Sequence, residues 1–109
     1  MKTAAEFLVG THDFNCFMAS GGQVESTVRT MFDANVSQNG DIVEISLTAD
    51  GFLYNMVRII AGSLVKVGEG KLSLSQFSEL LSGRLERNDN PALTLPPNAL
   101  LLKSVKYDL

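Results

Sequence analysis

Three stretches of the chain carry a regular alternation of apolar and polar positions. In "MKTAAEFLVG", Ala4, Ala5, Leu8 and Val9 recur at helical spacing, and Gly10 is placed to end that helix in a left-handed cap. In "TVRTMFDANVSQNGDIVEISLTADG" the period changes to two. Phe32, Ala34 and Val36 alternate on one strand, and Val43, Ile45, Leu47 and Ala49 on the next. Asn39-Gly40 between them suits a tight turn, so this segment predicts a β-hairpin. "GFLYNMVRIIAGSLVKVG" is the most apolar stretch and predicts a helix over about 52–67, capped by Asp50 and ended by Gly68.

Weaker patterns fill the gaps. "THDFNCFMASGGQVEST" mixes aromatic and small polar residues around Gly21-Gly22 and reads as an irregular loop. "SLSQFSELLSG" predicts a short helix, with Ser73 and Gln76 at capping-box spacing and Gly83 as its stop. "RLERNDNPALTLPPN" is a loop with three prolines. "ALLLKSVKY" reads as a closing strand with Leu100, Leu102 and Val105 inward. The order α-β-β-α-α-β predicts an α+β fold in which helices pack on one face of a small antiparallel sheet. Residues 1–109 read as a single domain.

Composition narrows the classes. The 109 residues are 45% hydrophobic and 19% charged, which fits a folded domain. Asn55, Arg58, Ser63 and Lys66 interrupt the longest apolar run short of the roughly 18 residues a membrane span needs. The N-terminus is too weakly apolar for a secretory signal, and the lone Cys16 permits no internal disulfide, so the cytoplasm is the expected compartment. The net charge of -3 argues against a dedicated nucleic-acid module, although one face of an RNA-binding protein stays open.

Candidate chemistry is sparse. His12, Asp13 and Cys16 are close in sequence but fall short of a four-ligand zinc site, and no third group supports Cys16 as a nucleophile with His12 as base. "VGEGKL" lacks the first glycine of a phosphate loop and has Leu72 in place of its Ser/Thr. Arg58 is different. At 100° per residue, Asn55, Arg58, Gly62 and Lys66 fall in one narrow arc of an otherwise apolar helix. Such an arc is either the solvent stripe of an amphipathic helix or one wall of a site, and Gly62, a turn after Arg58, would let a backbone or ligand come close.

The same segment, "GFLYNMVRIIAGSLVKVGEGK", closely resembles the signature of the tRNA pseudouridine synthase A (TruA-type) family. "AAEFLVGTHDFNCF", "STVRTMFDANV" and "TLPPNALLLKSVKY" resemble its flanking segments in the same order. The resemblance implies an isomerase that converts uridine to pseudouridine in the anticodon arm of tRNA, with no metal or organic cofactor, and that forms a homodimer. It implies a catalytic aspartate in an Arg-Thr-Asp motif of an N-terminal half, a motif that does not occur here. The chain is thereby expected to be the C-terminal, catalytic-half domain, inactive alone. Arg58 matches the arginine that pairs with that aspartate, and Leu100 the apolar residue near the target base. Phe52, Tyr54 and Asn55 lie within the signature, either as substrate contacts or as structure, and Arg29 and Arg87 match recurrent arginines that either touch phosphate or brace loops. Ala99 and "NDNP" after Arg87 depart from the family pattern. The alternative is a stand-alone RNA-binding or assembly domain without activity.

Overall fold

The computed structural model describes residues 2–18, 26–39, 42–53, 55–92 and 101–105. Helix α1 (Lys2–Leu8) leads into β1 (Gly10–Asp13) and a short 3-10 turn (Asn15–Phe17). The strands β2 (Val28–Asn39) and β3 (Ile42–Ala49) follow, then α2 (Met56–Gly68), α3 (Leu74–Glu79), a second 3-10 turn (Arg87–Asp89) and β4 (Leu101–Val105). The sheet order is β1-β2-β3-β4. The class is α+β, as the element order predicts.

Two features of the sheet differ from the expectation. The segment read as an irregular loop begins with a strand, because the backbone of Gly10–Asp13 pairs antiparallel with Val28–Met31 of β2. Gly10 has a φ of +116°, which L side chains rarely adopt, so it both stops α1 and opens β1. The closing strand does pair with β3, but in parallel. A parallel partner has to be reached by a crossover, and α2 with α3 form that crossover over one face.

The hairpin alternation holds on β3, where Ile45, Leu47 and Ala49 are buried and Val43 packs against the core. On β2 it shifts. A bulge between Met31 and Asp33 sends Met31 inward at 1% exposure and leaves Phe32 40% exposed. A bulge inserts one extra residue, so every side chain before it changes face relative to a strict period of two. Asn39 pairs with Ile42, while Gly40 lies outside the described residues.

α1, α2 and α3 form the second layer. Leu8 of α1, Met56, Ile59, Ile60 and Leu64 of α2 and Phe77 of α3 are fully buried, together with Phe14 and Phe17 from the turn between β1 and β2. The three rings of Phe14, Phe17 and Phe77 stack in sequence at centroid distances of 6.0 and 6.1 Å, a separation favourable for tilted and edge contacts. α3 starts as its spacing predicts. The Gln76 amide donates to Ser73 Oγ at 3.1 Å and the Ser73 amide to Gln76 Oε1 at 2.9 Å. Gly83, at φ +81°, sits where a Cβ would come within 3.2 Å of the Asp13 side chain.

The predicted cap of α2 is corrected. Asp50 does not cap the helix; its Oδ1 accepts from the Thr30 amide at 3.0 Å, and its own amide donates to the Thr30 carbonyl at 3.0 Å. The aspartate closes the β2–β3 ladder at its open end. The chain then leaves the sheet layer at Gly51–Leu53, and α2 begins at Met56 with Asn55 as its cap residue.

Candidate functional site

α2 is buried around most of its circumference. Val57 and every residue from Ile59 to Leu64 are buried, which leaves Arg58, Val65, Lys66 and Val67 half-buried. The narrow polar arc predicted from the sequence is therefore narrower still, since Gly62 is inside it and covered. The helix presents Asn55 and Arg58 at one end and Lys66 at the other.

Arg58 donates from Nη2 to the carboxamide oxygen of Asn55, three residues earlier. Among the described residues, the ion pairs are Lys71–Glu69 and Arg84–Glu79, and neither involves Arg58. A guanidinium carries five N–H donors in a planar fork and keeps its charge at any accessible pH. Among the described residues, the Asn55 oxygen is its hydrogen-bond partner.

The remaining candidates separate. Arg29 donates from Nη1 to the carbonyls of Ser26 and Val28, each at 2.7 Å, and its aliphatic stem lies against Gly51. Arg87 donates from Nη1 to the Asn90 carbonyl at 2.9 Å and from Nη2 to the Ala92 carbonyl at 2.7 Å. Of the two roles left open for these arginines, the observed bonds are those of loop braces. Asn55 joins Arg58. Tyr54 and Leu100 lie outside the described residues, as do the side chains of Leu102 and Val105.

One residue that sequence reasoning passed over ties the region together. Asn90 is 3% exposed in the proline-bearing loop. Its Nδ2 donates to Ser63 Oγ on α2 at 3.0 Å and to the Cys16 carbonyl at 3.3 Å, and its Oδ1 accepts from the Ala92 amide at 3.0 Å. Ser63 Oγ in turn donates to the Ile59 carbonyl at 2.8 Å. A single carboxamide thus joins α2, the turn after β1 and the loop that leads toward β4. The only sequence signal is an asparagine before a proline, a pair that marks turns in general.

Cys16 and His12 do not form a reactive pair. Cys16 is fully buried, and burial, reinforced by the nearby Asp89 and Asp13 carboxylates, pushes its thiol up to about 11. A thiol held protonated is a poor nucleophile. His12 bonds the Val9 carbonyl through Nε2 at 3.2 Å and meets the edge of Phe14. Among the described residues no group of three His, Cys, Asp or Glu side chains could hold a metal ion, and no helix is long and apolar enough to cross a membrane.

Two surface grooves lie near α3, one lined by residues including Leu72, Gln76, Leu85 and Pro91, the other by Phe7, His12, Leu81 and Arg84. Arg58 is not among the residues that line these two grooves.

The profile of a family described as tRNA pseudouridine synthase matches residues 4–108. The tRNA pseudouridine synthase A of Clostridium botulinum (strain Alaska E43 / Type E3) is 42% identical over 107 residues, which are 98% of this chain and 43% of that protein. That of Thermoanaerobacter sp. (strain X514) is 43% identical over the same shares, and that of Geobacter sp. (strain M21) is 40% identical. The chain spans about 43% of the length of the curated relatives it matches. These findings favour the enzyme family over a stand-alone RNA-binding or assembly domain. With the match running through every element of the fold, from α1 to β4, the chain belongs to the tRNA pseudouridine synthase family.

Proposed function

We propose that the chain is the C-terminal, catalytic-half domain of a tRNA pseudouridine synthase, an isomerase that turns uridine into pseudouridine in the anticodon arm of tRNA. The observation that carries this reading is Arg58, a half-buried guanidinium on an otherwise apolar helix, with no ion pair among the described residues. Family membership supplies the reaction class. The aspartate that starts the chemistry comes, in this reading, from the part of the relatives' length that the chain does not cover. Arg58 receives it as a bidentate partner, keeps it ionised and fixes its orientation.

Leu100 packs near the target base, Tyr54, Arg29 and Arg87 line the RNA side, the two arginines chiefly by shaping their loops, and Asn55 stands beside Arg58. No metal or organic cofactor takes part. The base has to leave its stack to react, as with other enzymes that act on bases. The full-length protein works in the cytoplasm as a homodimer.

The test is tritium release from tRNA carrying uridine labelled at carbon 5. The full-length protein that contains this chain is expected to release tritium, and the 109-residue chain alone is expected to match a no-enzyme control. Absence of release by the full-length protein overturns the assignment; release by the chain alone overturns its status as half of a site.

A further inference from the structure

Asn55 occupies the N-cap of α2 with φ 58° and ψ 12°, in the left-handed region, and its side chain makes no cap hydrogen bond. Both facts are unusual together. An N-cap asparagine ordinarily has extended backbone and turns its oxygen onto an amide of the first helical turn. Here the backbone contributes to the helix start instead: the Met56 amide donates to the Leu53 carbonyl at 3.0 Å and the Ile59 amide to the Asn55 carbonyl at 3.0 Å. The carboxamide oxygen is given over to Arg58 Nη2. The residue type fits the backbone, since asparagine tolerates the left-handed region far better than most.

We propose that Asn55 is a positioning residue whose carboxamide oxygen holds the Arg58 guanidinium in the orientation that receives a carboxylate, and that it does not itself contact RNA. The proposal rests on the reading of Arg58 given above. An arginine side chain loses considerable rotamer freedom when it is fixed, and a neighbour that fixes it beforehand removes that loss from the step in which the partner arrives. One N–H engaged by Asn55 leaves an edge of the fork free for a two-bond pair. The chemistry also accounts for asparagine over aspartate, which caps helices equally well. A neutral oxygen orients the guanidinium without neutralising it, whereas a fixed anion at this position would compete with the incoming carboxylate.

The experiment measures single-turnover rates of the full-length protein on tRNA tritiated at uridine carbon 5. It compares Asn55→Gly, Asn55→Asp, Arg58→Lys and the Asn55→Gly/Arg58→Lys double variant. Glycine keeps the left-handed backbone and is a fair N-cap, so it removes the oxygen alone. Asn55→Gly is expected to lower the maximal rate about tenfold, the scale of one hydrogen bond to a charged group. The tRNA concentration at half-saturation should stay within about twofold, since no binding contact is lost. Asn55→Asp should lower the rate further. In the Arg58→Lys background, Asn55→Gly should make no additional difference, because the two residues act as one unit.

A raised half-saturation with an unchanged maximal rate makes Asn55 an RNA contact and overturns the proposal. So does an equal loss from Asn55→Gly in both backgrounds, or a wild-type rate. If Asn55→Gly melts lower than wild type, Asn55→Asp decides, since it keeps the left-handed backbone preference: a wild-type rate there overturns the proposal. A wild-type rate for Arg58→Lys overturns the underlying reading of Arg58, an outcome distinct from a failure confined to Asn55.

Discussion

Arg58 shows how much one side chain's context decides. In the full-length protein, Arg58→Ala is expected to cut tritium release about a hundredfold or more, the scale set by about 3–5 kcal/mol for removing one member of a buried charged pair. Arg58→Lys should restore little, because an ammonium does not reproduce the planar fork. In the isolated chain, Arg58→Ala should shift a denaturation midpoint by an amount equivalent to less than about 0.5 kcal/mol, as for most surface changes. Near-wild-type activity, or marked destabilisation of the chain, reassigns Arg58 to structure. Cys16 is the opposite kind of residue. Its thiol, ordinarily near 9.0, is pushed up to about 11 in the folded chain. Above pH 9 the unfolded chain releases this proton while the folded chain keeps it, so the thiol's contribution is fully present below pH 9 and is lost as pH rises through about 11. Urea melts across that window should show stability falling in the wild type more steeply than in Cys16→Ala.

At the scale of elements, legibility followed periodicity. The inward set of β3, the capping box of α3 and the apolar faces of α1 and α2 were all readable, because each follows from side-chain spacing along one segment. What escaped depends on partners distant in sequence. Phe32 alternates with Ala34 and Val36 in the sequence yet lies exposed, because a bulge leaves no trace in a two-residue alternation. Asp50 was read as a cap because its partner, the Thr30 amide, belongs to another strand. Thr11–Asp13 reads as loop and Gly10 as a helix cap because a four-residue strand carries too little pattern to stand out from its polar neighbours. Asn90 belongs with these. Asn90→Ala leaves the Cys16 carbonyl, Ser63 hydroxyl and Ala92 amide without their carboxamide partner. The expected cost is about 1–3 kcal/mol, the usual penalty for polar groups left buried and unsatisfied. Chemical denaturation of the isolated chain measures it. An unchanged midpoint would show that the loop holds its place without this carboxamide.

For the whole molecule, net charge and site chemistry point in different directions. A balance of -3 describes the entire surface and carries no information about one face, so it argues only against a dedicated nucleic-acid module. Of the candidate site, Arg58 and Asn55 were legible as a polar arc on an apolar helix, while their bond to each other was not, because it depends on a left-handed backbone that helical geometry does not anticipate. The surface has a second unfinished aspect. Val9, Val28 and Phe32 are 45%, 46% and 40% exposed around the β1–β2 end of the sheet. Such apolar exposure favours association, so the isolated chain is expected to self-associate with rising concentration in sedimentation experiments, and Phe32→Ser to weaken this. A chain that stays monomeric at high concentration overturns the expectation.

The parallel pairing of β4 with β3 also sets a schedule. β2 and β3 meet across a short turn and can zip together within microseconds, a local event. β4 has no such neighbour. Its partner lies on the far side of everything from Asp50 to Leu100, so the sheet's last ladder closes only after α2 and α3 have been laid down. Pairings this distant in sequence are reached late, since the entropy of closing a long loop has to be met before any contact rewards it. As a ribosome releases the chain, the helix bearing Arg58 is complete while the strand that follows Leu100 is still being made. The helix that carries the arginine is therefore made before the strand that completes the sheet and touches that helix.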